Sequence, residues 1–332
     1  MNQLKSPLLK IDNLQTQFKT SEGIIKAANN VSFEIYPGEI IGVVGESGCG
    51  KSVTALSIMQ LIPKPHGEIT SGKILYRDTN ILTLKEKEMQ KIRGKEISII
   101  FQEPMTSLNP VLTIEKQLTE QMLLHLKLNY KDAYLKAIEL LEMVGMPDPK
   151  SILKKYPHNL SGGMRQRIMI AIAISCNPKL IIADEPTTSL DVTIQAQILE
   201  TLKSLCQTSN TALILITHNL GIIARYAKRV IVMYAGKIIE EGNSVDIYHN
   251  PKHPYTLGLL KSIPKLNNSP NVKLESIPGN PPDLNNLPSG CSFQSRCFLA
   301  NEKCKLEPTI TNISEQHWSA CWNHAELNGF QI

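Results

Sequence analysis

No stretch of this 332-residue sequence approaches the roughly 20 consecutive apolar residues that a membrane-spanning helix needs. The most apolar runs, IMIAIAI and LILIT, have the length of a core helix or a core strand. The opening segment, MNQLKSPLLKIDNL, lacks the long apolar centre of a secretory signal. Aromatic residues are scarce, at 5%. No long basic run accounts for the net charge of +5, which is spread along the chain and reads as a solvated surface rather than a nucleic-acid patch. No internal repeat and no low-complexity tract is present. With 42% apolar and 20% charged residues, disordered and fibrous classes are excluded. A soluble, cytoplasmic protein of one large or two modest domains is expected. In that compartment the seven cysteines are expected as thiols or metal ligands, not disulfides.

What is present has a clear order. Short β segments come first (LLKIDNLQTQF, VSFEI, EIIGVVG), and the last runs into a glycine-rich turn and a helical stretch, KSVTALSIMQLI. A further β pair is expected at KILYRD and ISIIFQ. From about Met105 to Tyr156 apolar residues recur at three- and four-residue spacings, and a helical subdomain of about residues 105–175 is expected. Strand and helix then alternate through KLIIAD, TIQAQILETLKSLC, ALILITH and LGIIARYA, which implies a parallel core sheet covered by helices. Near residue 265 the texture becomes rich in Pro, Asn and Ser and loses periodicity, so a domain of residues 1–264 and an extension of 265–332 are expected.

The stretch GESGCGKS, Gly45 to Ser52, fits the pattern of a phosphate-binding loop and follows a strand and precedes a helix, as such a loop must. Gly45, Glu46, Ser47, Gly48, Cys49 and Gly50 would turn backbone N–H groups toward a phosphate. Lys51 would reach the outer oxygens as a point charge, and Ser52 would offer a hydroxyl to Mg²⁺. In LIIADEPTTSLD, Asp184 closes an apolar strand and is the candidate Mg²⁺ ligand. Glu185 follows as the candidate general base. Gln102 and His218 end two further apolar segments, as candidates for touching Mg²⁺ or the attacking water and for contacting the outer phosphate. A second small-residue helix start, Ser161-Gly162-Gly163 in LSGGMRQR, is a second anion site by the same physics.

The ordered set of GESGCGKS, the glutamine of FQEP, LSGGMRQR, ADEPTTSLD and the histidine of ITHN resembles the nucleotide-binding subunit of an ATP-binding cassette (ABC) transporter. The resemblance implies an α/β P-loop NTPase cassette: a RecA-like parallel-sheet core, an N-terminal antiparallel β subdomain and a helical signature subdomain. It implies head-to-tail pairing of two cassettes, with ATP between the loop of one and Ser161, Gly162 and Gly163 of the other. Gln166 joins that nucleotide-side set, Phe18 becomes the ring stacked on adenine, and Ser189-Leu190-Asp191 becomes the segment that communicates between sites. FQEPMTSLNP, NPKHPYTLGLLKSIP and the terminal cysteines resemble the oligopeptide/dipeptide (and nickel) importer branch. That branch implies a second ATPase subunit, usually a paralogue, two transmembrane permease subunits and an extracytoplasmic substrate-binding protein. It places the chain peripherally on the cytoplasmic face of the inner or plasma membrane, with no nucleic acid.

Cys291, Cys297, Cys304 and Cys321 are spaced C-x5-C-x6-C-x16-C and lack the C-x2-C pairs of a zinc ribbon. Four thiolates suit Zn²⁺ or a [4Fe–4S] cluster, and spacing does not choose between them; the branch resemblance implies the cluster. A segment so poor in core residues is expected to need such a ligand in order to fold. Two other classes compete with this reading: a DNA-repair or chromosome-maintenance ATPase, and a translation ATPase. The first would carry a long coiled coil or DNA-binding insertion between loop and signature, and the second a second cassette; this sequence has neither.

Overall fold

The computed structural model describes residues 6–187, 190–263 and 276–327. They form two compact units. The first comprises the described residues up to Ile35, Ile40–Leu82, and those from Leu215 onward; the second comprises Tyr36–Glu39 and Thr83–Ile214. The division falls inside the strand Ala212–Thr217.

The first unit opens with an antiparallel sheet ordered Gly23–Ile35, Leu9–Thr20, Gly67–Tyr76 and Thr79–Asn80. Period-2 alternation drives it: Leu9 and Ile11 are buried, and after a register shift Leu14 and Thr16 are buried in turn. Its second sheet is mixed. Ile40–Val44 runs parallel to Arg229–Tyr234, which pairs antiparallel with Lys237–Asn243 through the turn at Ala235 and Gly236. Both turn residues have positive φ, 46° and 80°, as a tight hairpin turn requires.

Two short strands of the C-terminal extension continue this sheet. His317–Ser319 pairs with Lys237–Asn243, and Thr311–Ser314 pairs with His317–Ser319. The aperiodic tail expected from the sequence is therefore partly sheet. Its ordering has ordinary packing behind it. Phe293 is buried edge-on against Tyr234 and Tyr255, and His317 Nε2 meets Glu240 Oε1 at 2.8 Å in a fully buried setting. These contacts hold the segment beside whatever its cysteines bind. The expected boundary between residues 264 and 265 lies outside the described residues, and the described part of the extension belongs to the first unit.

In the second unit, Ile97–Ile100 runs parallel to Leu180–Asp184, beside Ala212–Thr217. KILYRD and ISIIFQ were expected as a pair; instead the first lies in the antiparallel sheet and the second here. Helices Ile114–His125, Tyr130–Met143 and Gly162–Ile174 form the expected helical region. Each starts at a side chain that satisfies an orphan backbone N–H: Thr113, Asn129 and Ser161 accept from Lys116, Asp132 and Met164. No described helix is long and apolar enough to cross a membrane.

Candidate functional site

Each unit carries one set of the candidate residues. In the first, the loop Gly45–Ser52 joins the buried strand Ile40–Val44 to the helix Lys51–Ile58. Gly45 holds φ at 152°, and a Cβ there would stand 2.3 Å from the carbonyl oxygen of Met233. Gly50 has φ 105°, with a Cβ 2.2 Å from the carbonyl of Ala27. Both backbone shapes and both close approaches exclude a side chain. At Gly48, by contrast, a Cβ would meet nothing within 4 Å. Ser47 and Gly48 are exposed at the open tip, so the loop's mouth faces free space.

Lys51 is 5% exposed, and its Nζ donates to the carbonyls of Gly45 (2.7 Å) and Glu46 (2.9 Å). The ammonium thus sits inside the ring that its own loop describes, where an anion's oxygens can exchange with the two carbonyls. Cys49 is buried against it, and burial pushes its thiol pKa up while the Lys51 charge opposes the shift. Its conservative reading is packing, not reactivity. Tyr255 braces the loop from outside: its Oη accepts the Glu46 backbone N–H at 2.7 Å. The motif PKHPYTLGLL gave no hint of this role, because the contact joins residues 209 positions apart. Ser52 is half-buried in the first helical turn. Phe18 is half-buried beside Gly67 and pairs with Ile25 across the antiparallel sheet. His218 is exposed, one residue beyond the end of Ala212–Thr217.

The second unit brings Gln102 and Glu185 together. Gln102 Nε2 donates to Glu185 Oε2 at 3.0 Å, so an amide orients the carboxylate that sequence reading named as base. Asp184 ends its strand at 7% exposure and Glu185 follows at 8%. Glu185 has φ 45°, left-handed backbone that a non-glycine residue occupies only where its surroundings compel it. Such strain concentrates at functional positions.

The signature helix Gly162–Ile174 is capped by Ser161. Gly162 and Gly163 occupy its first turn, where a Cβ would come within 3.7 Å of Leu190 and 3.3 Å of Ile194. Two of the expected contacts are engaged locally, Gln166 by burial and Asp191, though exposed, as a helix cap. Gln166 is 2% exposed within that helix, and Asp191 spends its carboxylate on the Ile194 N–H at 2.9 Å as the cap of Val192–Thr208. Ser189 lies outside the described residues.

Sequence comparison bears directly on these motifs. Residues 28–188 match the family model "ABC transporter", and residues 239–304 match "Oligopeptide/dipeptide transporter, C-terminal region". An oligopeptide transport ATP-binding protein of Bacillus subtilis, AppD, is 53% identical over 97% of this chain and 98% of its own. A dipeptide transport ATP-binding protein of the same organism, DppD, is 49% identical over 97% and 98%. The chain belongs to the ABC transporter family, in its oligopeptide/dipeptide branch. Among solved structures, the ATP-binding cassette MJ0796 in a dimeric, post-hydrolysis state with ADP and Pi matches this family member at TM-score 0.65 and 29% identity. The match covers 71% of this chain and 98% of that one.

The part of this ABC protein beyond the cassette holds the four clustered cysteines. Cys291 N–H donates to the Cys304 carbonyl at 2.9 Å. Burial, with the neighbouring cysteines adding to it, raises the thiol pKa of Cys297 to about 11 and of Cys321 to about 12. The four side chains thus converge closely enough to feel one another's charge. Among the described residues, no group of three or more His, Cys, Asp or Glu is disposed to hold a metal ion. The expected metal site is present as a convergence of sulfurs, not as a formed ligand set.

Proposed function

We propose that this protein is the ATP-hydrolysing subunit that energises import of oligopeptides or dipeptides through separate membrane permeases. The observation that carries the nucleotide half of the reading is Lys51, held inside a phosphate loop whose tip is open. Peptide cargo rests on the relatives, whose names are those of oligopeptide and dipeptide transport proteins. A nickel or other small-solute importer is the alternative within the branch.

In this reading the loop amides and Lys51 bind and orient the triphosphate. Asp184 and Ser52 would hold Mg²⁺, whose charge offsets that developing on the transferred phosphoryl group. Glu185, aimed by Gln102, accepts a proton from the attacking water, and His218 contacts the outer phosphate. Phe18 stacks on the base. Ser161, Gly162 and Gly163 offer a helix N-terminus to the nucleotide of a second cassette, so each site is completed by its partner. Gln166 and Asp191 contribute through the shape of the signature helix and its neighbour rather than by direct contact. The membrane-bound assembly would comprise a paired ATPase subunit, two permeases and an extracytoplasmic binding protein. The residues of 265–332 act as a C-terminal extension whose four cysteines take a [4Fe–4S] cluster, with Zn²⁺ as the other candidate.

Mixing two defective protomers tests the shared site. For a symmetric pair, Lys51→Ala mixed with Gly163→Asp leaves one composite site with both lesions and one with neither, so ATPase activity recovers in the mixture. Sites contained within single chains would give no recovery.

A further inference from the structure

One residue of the phosphate loop does not suit its surroundings. Glu46 places a carboxylate on the loop that is to receive a polyanion, and its backbone carbonyl is one of the two that hold Lys51. An unpaired negative charge there would oppose binding of a triphosphate through simple Coulomb repulsion. Arg296 of the C-terminal extension answers it. Nη1 donates to Glu46 Oε2 at 2.7 Å and Nη2 donates to Oε1 at 3.0 Å, a two-pronged pairing of guanidinium and carboxylate.

The arginine itself is firmly placed. Its side chain is 4% exposed, against 25% for Glu46. Nε donates to the Pro278 carbonyl at 2.9 Å and Nη2 reaches the Gly279 carbonyl at 3.4 Å. The guanidinium also lies about 6 Å from the ring centres of Tyr234 and Phe293. A partner held this way gives up little rotamer freedom on pairing, so the ion pair is a fixed feature of the loop's electrostatics.

We propose that Arg296 is a positioning residue for nucleotide binding: it neutralises Glu46 and so sets how tightly the phosphate loop accepts a triphosphate. The C-terminal extension thereby becomes part of the nucleotide site's charge balance. This rests on the nucleotide reading of the loop. Substrate affinity is the quantity at stake, since Arg296 acts through Glu46 and not on the reacting atoms.

The full-length protein is titrated with a fluorescent N-methylanthraniloyl ATP in the presence of Mg²⁺. Arg296→Gln should weaken binding roughly tenfold. In steady-state assays it should raise KM for ATP in proportion while leaving kcat at saturating ATP within about twofold. Arg296→Lys should recover part of the loss, because the charge returns without the planar fork. The deciding variant is the double change Glu46→Gln with Arg296→Gln. Removing the stranded carboxylate should bring affinity back to within about threefold of the wild type, and raised salt should shrink the defect of the single variant. A purely structural clamp predicts the opposite, a double variant as weak as Arg296→Gln at every salt concentration, and that result overturns the proposal. Wild-type affinity in Arg296→Gln overturns it equally. Should Arg296→Gln loosen the extension, limited proteolysis will show it in both variants, and recovered affinity in the double variant still decides for charge. Failure of the wild type to bind the nucleotide would instead refute the nucleotide reading itself.

Discussion

Glu185 carries two burdens at once, the carboxylate proposed as general base and a left-handed backbone at φ 45°. They separate by mutation. Glu185→Gln keeps the shape and the Gln102 contact but cannot accept a proton, so nucleotide binding should persist while hydrolysis falls by roughly 10² to 10⁴; near-normal turnover would show that the base lies elsewhere. Glu185→Ala and Glu185→Gly both remove the carboxylate, yet only glycine relaxes the backbone. Calorimetry should therefore find the glycine variant more stable than the alanine variant by about 1 kcal/mol. His253 makes a different test. It is fully buried, its Nδ1 accepts the Tyr255 N–H at 3.1 Å, and burial lowers its pKa from 6.5 to about 3. The folded histidine thus stays neutral while the unfolded one protonates. Its contribution is intact above pH 6.5 and is lost as pH falls from there toward about 3. Between pH 7 and 5 the loss is about 2 kcal/mol. Urea unfolding at both pH values should show that drop shrink in His253→Asn, whose carbonyl can accept the same N–H. The candidate nucleotide residues were legible because glycines, a lysine and a strand-ending acid sit in short local patterns. Tyr255 was not, since it reaches Glu46 from a distant segment and the sequence records no spacing for such a contact.

Helices announced themselves through their starts. Thr113, Asn129 and Ser161 stand where a side-chain acceptor is needed, and apolar periodicity follows each. Asp191 belongs to the same class, although family resemblance gave it a part in communication between sites. Its carboxylate caps the 17-residue helix Val192–Thr208. Asp191→Ala should cost about 1 kcal/mol of stability. Asp191→Ser, which keeps an acceptor oxygen, should recover most of that in thermal unfolding. Full recovery of ATPase activity in the serine variant would reduce Asp191 to its capping role; stability restored without activity would support the communicating one. The extension's strands were illegible for a plain reason. Thr311–Ser314 and His317–Ser319 are 4 and 3 residues long, too short for alternation to stand out from chance. Only the waiting edge of Lys237–Asn243 makes them strands.

For the molecule as a whole, the extension shares the first unit with the phosphate loop and is held there by buried aromatic, ionic and sheet contacts. That bears on the cysteines. If a cluster occupies them, protein purified without oxygen should be brown and carry iron, and Cys304→Ser should lose both. The extension should nevertheless resist protease in that variant, because Phe293, Arg296 and His317 remain seated. Zinc without iron would reassign the metal, and a tail digested as soon as the colour is lost would give the metal the structural role that the packing otherwise fills.

The pairing of Glu46 with Arg296 also has a history in time. The partners are 250 residues apart, and a ribosome adds roughly 5–20 residues per second. Glu46 is therefore made roughly ten to fifty seconds before the arginine that neutralises it. Throughout that interval the nascent chain carries a phosphate loop with an uncompensated carboxylate. Tight nucleotide binding thus becomes a late event in synthesis, and a chain cut short before residue 296 would leave the ribosome with its loop still repelling the substrate.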